Sequence, residues 1–280
     1  MSLVKGSHIM KNVLVVEDSI LMQRVISDII NASMEFTVCG CARDVVEGWA
    51  KFNKLKPDIV TLDFELPHEN GLALLKKIMD ERPIPVLMVS AHTKEGAELT
   101  IRALDMGAID FFTKPSGPIS IDLYNYRSEL LGKLKLVSES QVQKQQDPHK
   151  QGRPESSFRE LYVGIAASTG GVRALNYIIP SFPAKCGLRM IIVQHMPKFF
   201  TASLALHLNE RSSMVVKEAQ DKDPILEGEV LIAQGGFHAA IDPTGEKIVL
   251  TDDPPVHGVK PSADVLFASM AKVYGERAIG

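Results

Sequence analysis

The sequence predicts an α/β protein of two domains, each built on a parallel sheet covered by helices. Three observations predict it. Short, nearly all-apolar runs alternate with helical periodicity through the first half, the pattern of strands buried on both faces. The texture then changes: from Ser138 to Ser157 the chain is rich in Gln, Ser, Lys and Glu, carries Pro148 and Pro154, and has no aromatic residue. From Leu161 the strand–helix alternation resumes.

In the first half, residues 13–16, 36–40, 58–62, 86–89 and 110–112 read as five strands. Helices are read at 20–30, 45–55 and 71–80, and another at about 123–136 closes the domain. In the second half, strands are read up to Ala167 and at 190–193, 214–216 and 229–233, with a hairpin-like pair at 239–241 and 247–250. Helices fall at 172–179, 200–209 and 262–274, and 277–280 opens a further buried strand. The expected division is tag sequence at 1–9 (Gly6-Ser7-His8 shortly before a second Met10), a first domain at 10–136, a flexible linker at 137–159 and a second domain at 160–280.

Composition bounds the function. Of 280 residues, 45% are apolar and 23% charged, ordinary for a globular protein. A net charge of -3 gives no electrostatic reason to expect nucleic acid or membrane binding. No run approaches the ~18 apolar residues of a membrane span, and nothing resembles a secretory signal, so a cytoplasmic protein that is not membrane-embedded is expected. Cys39, Cys41 and Cys186 have neither disulfide nor metal-ligand spacing and read as reduced thiols.

Strand ends carry the chemistry. Glu17 and Asp18 end the first strand and Asp63 the third, an oxygen-rich pocket whose self-repulsion a hard divalent cation relieves. Ser90 ends the fourth strand and Lys114 follows the fifth. Together they suit a phosphoryl site with Asp63 as nucleophile, Lys114 neutralising phosphate oxygens and Ser90 sensing them. The plainer reading of each acid alone is a turn or helix cap, as Asp18-Ser19 illustrates. Four occupied strand ends favour the site. Val15-Val16-Glu17-Asp18-Ser19, Asp58 to Asp63, Met88-Val89-Ser90-Ala91 and Asp110 to Pro115 resemble the bacterial response-regulator receiver family over about residues 11–133. The resemblance implies a flavodoxin-like five-stranded sheet and phosphoryl transfer from a histidine kinase to Asp63. It further implies Mg²⁺ held by Asp18, Asp63 and the Glu65 carbonyl with Glu17 supporting, and Phe111 as the aromatic switch that follows Ser90.

In the second half, Ser168 closes one strand and His195 the next, two members of a Ser/His/acid hydrolase. The surroundings are not a G-x-S-x-G elbow. Thr169-Gly170-Gly171 opens a helix and leaves backbone N–H groups unobstructed for a developing oxyanion. Taken singly, Ser168 reads as an N-cap and His195 as a loop residue. His238 and His257 are competing bases, cleft residues or exposed side chains, and no His/Cys cluster has zinc spacing.

The segments Ala167 to Gly171, Val193-Gln194-His195-Met196-Pro197 with Phe200-Thr201, Gly228 to Ala233, Gly235 to His238 and Lys260 to Phe267 resemble the CheB-type protein-glutamate methylesterase family of chemotaxis. The resemblance implies a doubly wound methylesterase domain, with Ser168 as nucleophile and His195 as general base; Thr169, at the helix opening, is the oxyanion support read from the residues themselves. It implies a glutamyl γ-methyl ester on the cytoplasmic helices of a chemoreceptor as substrate, receptor glutamine deamidation by the same attack, and no cofactor for hydrolysis. In that family the unphosphorylated receiver covers the hydrolase cleft and phosphorylation releases it.

The sequence departs from that family at Ala166, Gln234 and Lys260, where Gly, Pro and Arg are usual. The family's Gly-Met-Gly-x-Asp-Gly segment, which carries the catalytic aspartate, does not appear, and neither Asp253 nor Asp264 lies in its place. The expectation is therefore a C-terminally truncated methylesterase whose hydrolysis is near background, since loss of the acid costs about 10⁴ in rate in the serine-protease template. The alternative is a phosphorylation-dependent docking module with a catalytically incomplete hydrolase domain. A DNA-binding regulator is excluded by the absence of a basic helix-turn-helix.

Overall fold

The computed structural model describes residues 10–114, 127–140 and 160–280. The expected tag and residues 141–159 of the expected linker lie outside them. The chain divides into two compact units, Met1–Gln145 and Gln146–Gly280.

In the first unit β1 (Lys11–Val16), β2 (Phe36–Ala42), β3 (Ile59–Asp63), β4 (Val86–Ser90) and β5 (Asp110–Thr113) form a parallel sheet in the order β2-β1-β3-β4-β5. Helices α1 (Ile20–Asn31), α2 (Val45–Leu55), α3 (Gly71–Glu81), α4 (Lys94–Asp105) and α5 (Arg127–Glu139) connect and cover it. Chain order reverses between β1 and β3, which opens a crevice at their C-terminal ends. Local chemistry fixes the helix starts. Ser19 Oγ accepts the Met22 N–H at 3.4 Å, and Asp44 Oδ1 accepts the Glu47 N–H at 2.7 Å while Glu47 Oε2 accepts the Arg43 N–H at 2.8 Å. Val13, Val15, Ile26, Ile29, Leu87 and Leu134 are buried in one cluster, which packs β1 and β4 against α1 and α5.

Two differences from the sequence expectation have physical causes. The apolar spacing predicts no helix between the fourth and fifth strands, yet α4 is there. Its buried face is Gly96, Ala97, Thr100, Ile101, Ala103 and Leu104, so small and hydroxylic side chains mute the apolar period. The last helix of this unit runs to Glu139, into residues assigned to the linker, because Leu130, Leu134 and Val137 keep its spacing and are fully buried.

The second unit contains β6 (Leu161–Ala167), α6 (Gly171–Ile178), β7 (Leu188–Gln194), α7 (Phe200–Arg211), β8 (Val215–Glu218), β9 (Glu229–Ile232), β10 (His238–Ile241), β11 (Ile248–Thr251), α8 (Ala263–Tyr274) and β12 (Ala278–Ile279). The sheet is parallel in the order β12-β6-β7-β9-β8, and β10 and β11 form a separate antiparallel pair, the hairpin the sequence predicts. Ile191, Val193 and Leu231 pack with Ala239 and Ile248 of that pair and with Leu266 and Met270 of α8. A Cβ at Gly164 would come within 2.8 Å of Met270 Sδ and Phe267 Cε1, so this glycine lets α8 close on β6. No helix among the described residues is long and apolar enough to cross a membrane.

Candidate functional sites

The crevice between β1 and β3 gathers the acids. One carboxylate oxygen each from Glu17, Asp18 and Asp63 lie within 4.8 Å of one another. Glu17 and Asp63 are each 1% exposed, and Asp18 is half-buried. From the end of β5, Lys114 Nζ reaches Asp63 Oδ2 at 2.7 Å and Glu17 Oε2 at 3.0 Å. The second contact is an ion pair without hydrogen-bond geometry, so Glu17 Oε2 is a buried acceptor with unused capacity. Burial, and then the Asp63 charge, push the Glu17 carboxyl up to about 7. Burial also raises Asp63, against the pull of Lys114. Burial works to lower the Lys114 ammonium, but the two carboxylates overcome it and hold it above its ordinary value.

A cluster of three carboxylates, one of whose buried oxygens accepts no hydrogen bond among the described residues, fits a hard divalent cation. Glu65 is exposed, and its N–H donates to Asp63 Oδ1 at 3.3 Å. Ser90 is fully buried and engaged with α4: its Oγ lies 3.2 Å from Gly96 O and 3.0 Å from Thr100 Oγ1. Phe111 is buried beneath Lys133, whose Nζ stands 5.3 Å from the ring centroid and 3.0 Å from Asp110 Oδ2.

In the second unit, Ala167 and Gln194 are the last paired residues of β6 and β7, so Ser168 and His195 leave the sheet side by side. The His195 N–H donates to Ala167 O at 3.0 Å and ties the two strand ends together. Ser168 is exposed and His195 half-buried. His195 Nε2 is buried and has no hydrogen-bond partner among the described residues. Burial alone lowers the imidazole pKa, and among the described residues no carboxylate pairs with it. The ring is therefore neutral at pH 7, with a nitrogen available to take a proton.

The glycines after the serine have different causes. Gly170 sits at φ 75°, a left-handed turn into α6, with open space where a Cβ would be. Gly171 is needed for room, because a Cβ there would meet Gln194 Oε1 at 2.2 Å and Ala167 Cβ at 2.7 Å. Gln194 itself is 3% exposed and donates from Nε2 to Ser168 O at 3.1 Å. Its own role is not evident from the motif, although a polar side chain closing the apolar run at 190–193 is a visible signal. The other histidines separate cleanly. His238 is 1% exposed with both ring nitrogens engaged, by the Ser262 N–H at 3.1 Å and Pro254 O at 3.1 Å. His257 is exposed, 3.6 Å from Asp264 Oδ2. His238 opens β10, and His257 lies between β11 and α8.

Comparison with known proteins gives both halves a family. Residues 13–123 match the response regulator receiver domain and residues 163–280 the CheB methylesterase. The protein-glutamate methylesterase/protein-glutamine glutaminase of Symbiobacterium thermophilum is 42% identical over 96% of this chain and 79% of its own length. That of Pyrococcus abyssi is 42% identical over 96% of this chain and 76% of its own. The response regulator domain of Thermotoga maritima CheB, a solved structure, is 44% identical, covers 48% of this chain and 99% of that one, and has a TM-score of 0.45. With the two domain matches in tandem and relatives of this identity spanning nearly its whole length, the chain belongs to the protein-glutamate methylesterase/protein-glutamine glutaminase family.

Proposed function

We propose that the chain hydrolyses glutamyl γ-methyl esters on chemoreceptor cytoplasmic helices, under the control of phosphoryl transfer to Asp63. The observation that carries this reading is the adjacent exit of Ser168 and His195 from β6 and β7, with His195 Nε2 unpartnered and the ring neutral. His195 Nε2 takes the Ser168 Oγ proton as Oγ attacks the ester carbonyl. Thr169 N–H supports the developing oxyanion at the mouth of α6. The imidazolium then gives its proton to departing methanol. His195 next draws a proton from water, which attacks the acyl-enzyme, frees the glutamate and returns Ser168 to its hydroxyl. A receptor glutamine would follow the same path with ammonia as the leaving group.

In the receiver, whose last helix runs to Glu139 and which a linker joins to the catalytic domain (160–280), Asp63 attacks the phosphoryl group of a histidine kinase. Lys114, already between Asp63 and Glu17, follows the charge onto the phosphoryl oxygens. Glu17, Asp18 and Asp63, with the Glu65 carbonyl, would hold Mg²⁺, which when bound supplies positive charge against the phosphoryl oxygens. Ser90 would exchange its α4 partners for a phosphoryl oxygen, with Phe111 following it. A cytoplasmic site of action goes with such a substrate.

The second reading, a phosphorylation-dependent docking module, is favoured by the lack of a carboxylate beside His195 among the described residues. Methanol release from methylated receptor decides between them. Turnover lost in Ser168→Ala supports the esterase. Equal release by the two proteins, or none above background, overturns it.

A further inference from the structure

The carbonyl of Ser168 is gripped from two sides. The Gly171 N–H donates to it at 2.7 Å and Gln194 Nε2 at 3.1 Å. The reverse amide orientation would set Gln194 Oε1 against another acceptor, so the donor end belongs where it is. The consequence is an amide oxygen that is buried and, among the described residues, unpaired in a side chain 3% exposed. Such an oxygen costs stability, and every other residue of β7 from Met190 onward is apolar. The neighbouring turn is shaped around it, because only a glycine at 171 leaves Oε1 its space.

We propose that Gln194 is a positioning residue for ester hydrolysis, setting the plane of the Ser168–Thr169 peptide. A peptide unit is planar and trans, so its C=O and N–H point in opposite directions. Holding the Ser168 oxygen from two sides fixes the direction of the Thr169 N–H, the donor assigned to the oxyanion. It also fixes the backbone from which the Ser168 hydroxyl projects. With the Gly171 bond alone, the peptide can rock about one contact. This inference rests on the hydrolytic reading of Ser168 and His195.

The test uses the intact protein, with methanol release from methylated receptor and Ser168 labelling by a fluorophosphonate as readouts. Gln194→Met keeps the volume and removes the unpaired oxygen. We expect kcat to fall about 100-fold, the loss that follows removal of an oxyanion donor. KM should change little, and the melting temperature should hold or rise. Gln194→Glu should be as slow at neutral pH, where a carboxylate cannot donate to Ser168 O. It should recover toward the wild type as acid protonates it, the opposite sense to the histidine limb. Gly171→Ala should reproduce the loss by displacing the amide. Wild-type kcat in Gln194→Met, or a fall that tracks a loss of melting temperature, overturns the positioning role. A wild-type protein that neither releases methanol nor labels at Ser168 overturns the hydrolytic reading and this role with it.

Discussion

Lys114 Nζ stands 2.7 Å from Asp63 Oδ2 and 3.0 Å from Glu17 Oε2, one ammonium shared by carboxylates at the ends of β1 and β3. A phosphoryl group on Asp63 takes the place of one of those carboxylates and competes for the same cation. With acetyl phosphate and Mg²⁺, the intact protein should gain one phosphoryl group by mass, and Asp63→Asn should gain none. Asp63→Asn should keep the methanol release of the unphosphorylated protein. A mass gain in that variant would move the acceptor elsewhere.

The clustered acids predict a stabilising cation. An ion that binds only the folded first unit, present at ten times its Kd, adds about 1.4 kcal/mol. Trp49 of α2 is the one tryptophan of the sequence and stacks on Phe52, ring centroids 5.4 Å apart, so its fluorescence follows this unit. Mg²⁺ should raise the melting temperature read at Trp49, and Asp18→Ala should abolish the rise. The same gain in both proteins would remove the cluster from ion binding.

The strand ends were legible because a parallel sheet forces reacting groups to the C-terminal edge, and Glu17, Asp63, Ser90, Ser168 and His195 interrupt apolar runs there. Less visible was anything set by side-chain direction. Whether His238 or His195 is the base depends on which ring has its nitrogens engaged, and no spacing states that. The partners of Ser90 in α4 were hidden for the same reason, with Thr100 set in a helix whose buried face is mostly small side chains. Gly171 read as an opening for backbone N–H groups, whereas its space is taken by Gln194, a contact between residues 23 positions apart.

Burial lowers the His195 pKa from 6.5. The base acts as neutral imidazole, and a depressed pKa keeps it neutral further into acid. The kcat/KM for a soluble glutamyl methyl ester should therefore hold level as pH falls through 6.5 and drop only below it, with a midpoint on the acid side. Measured from about pH 8 to about pH 5, a midpoint above 6.5 would contradict this environment. It would require a carboxylate at the other ring nitrogen.

His238 and His195 should divide stability from activity. His238 Nδ1 accepts the Ser262 N–H, which places the proton on Nε2, where it donates to Pro254 O. His238→Ala leaves a cavity and two unpaired backbone groups in a site 1% exposed, a loss of about 2–4 kcal/mol. His195 Nε2 spends no hydrogen bond on the fold among the described residues, so His195→Ala should cost under about 1 kcal/mol while removing methanol release. Urea denaturation followed by far-UV circular dichroism gives the first quantity and the receptor assay the second. A His195→Ala protein as destabilised as His238→Ala would show that the imidazole beside Ser168 belongs to the core.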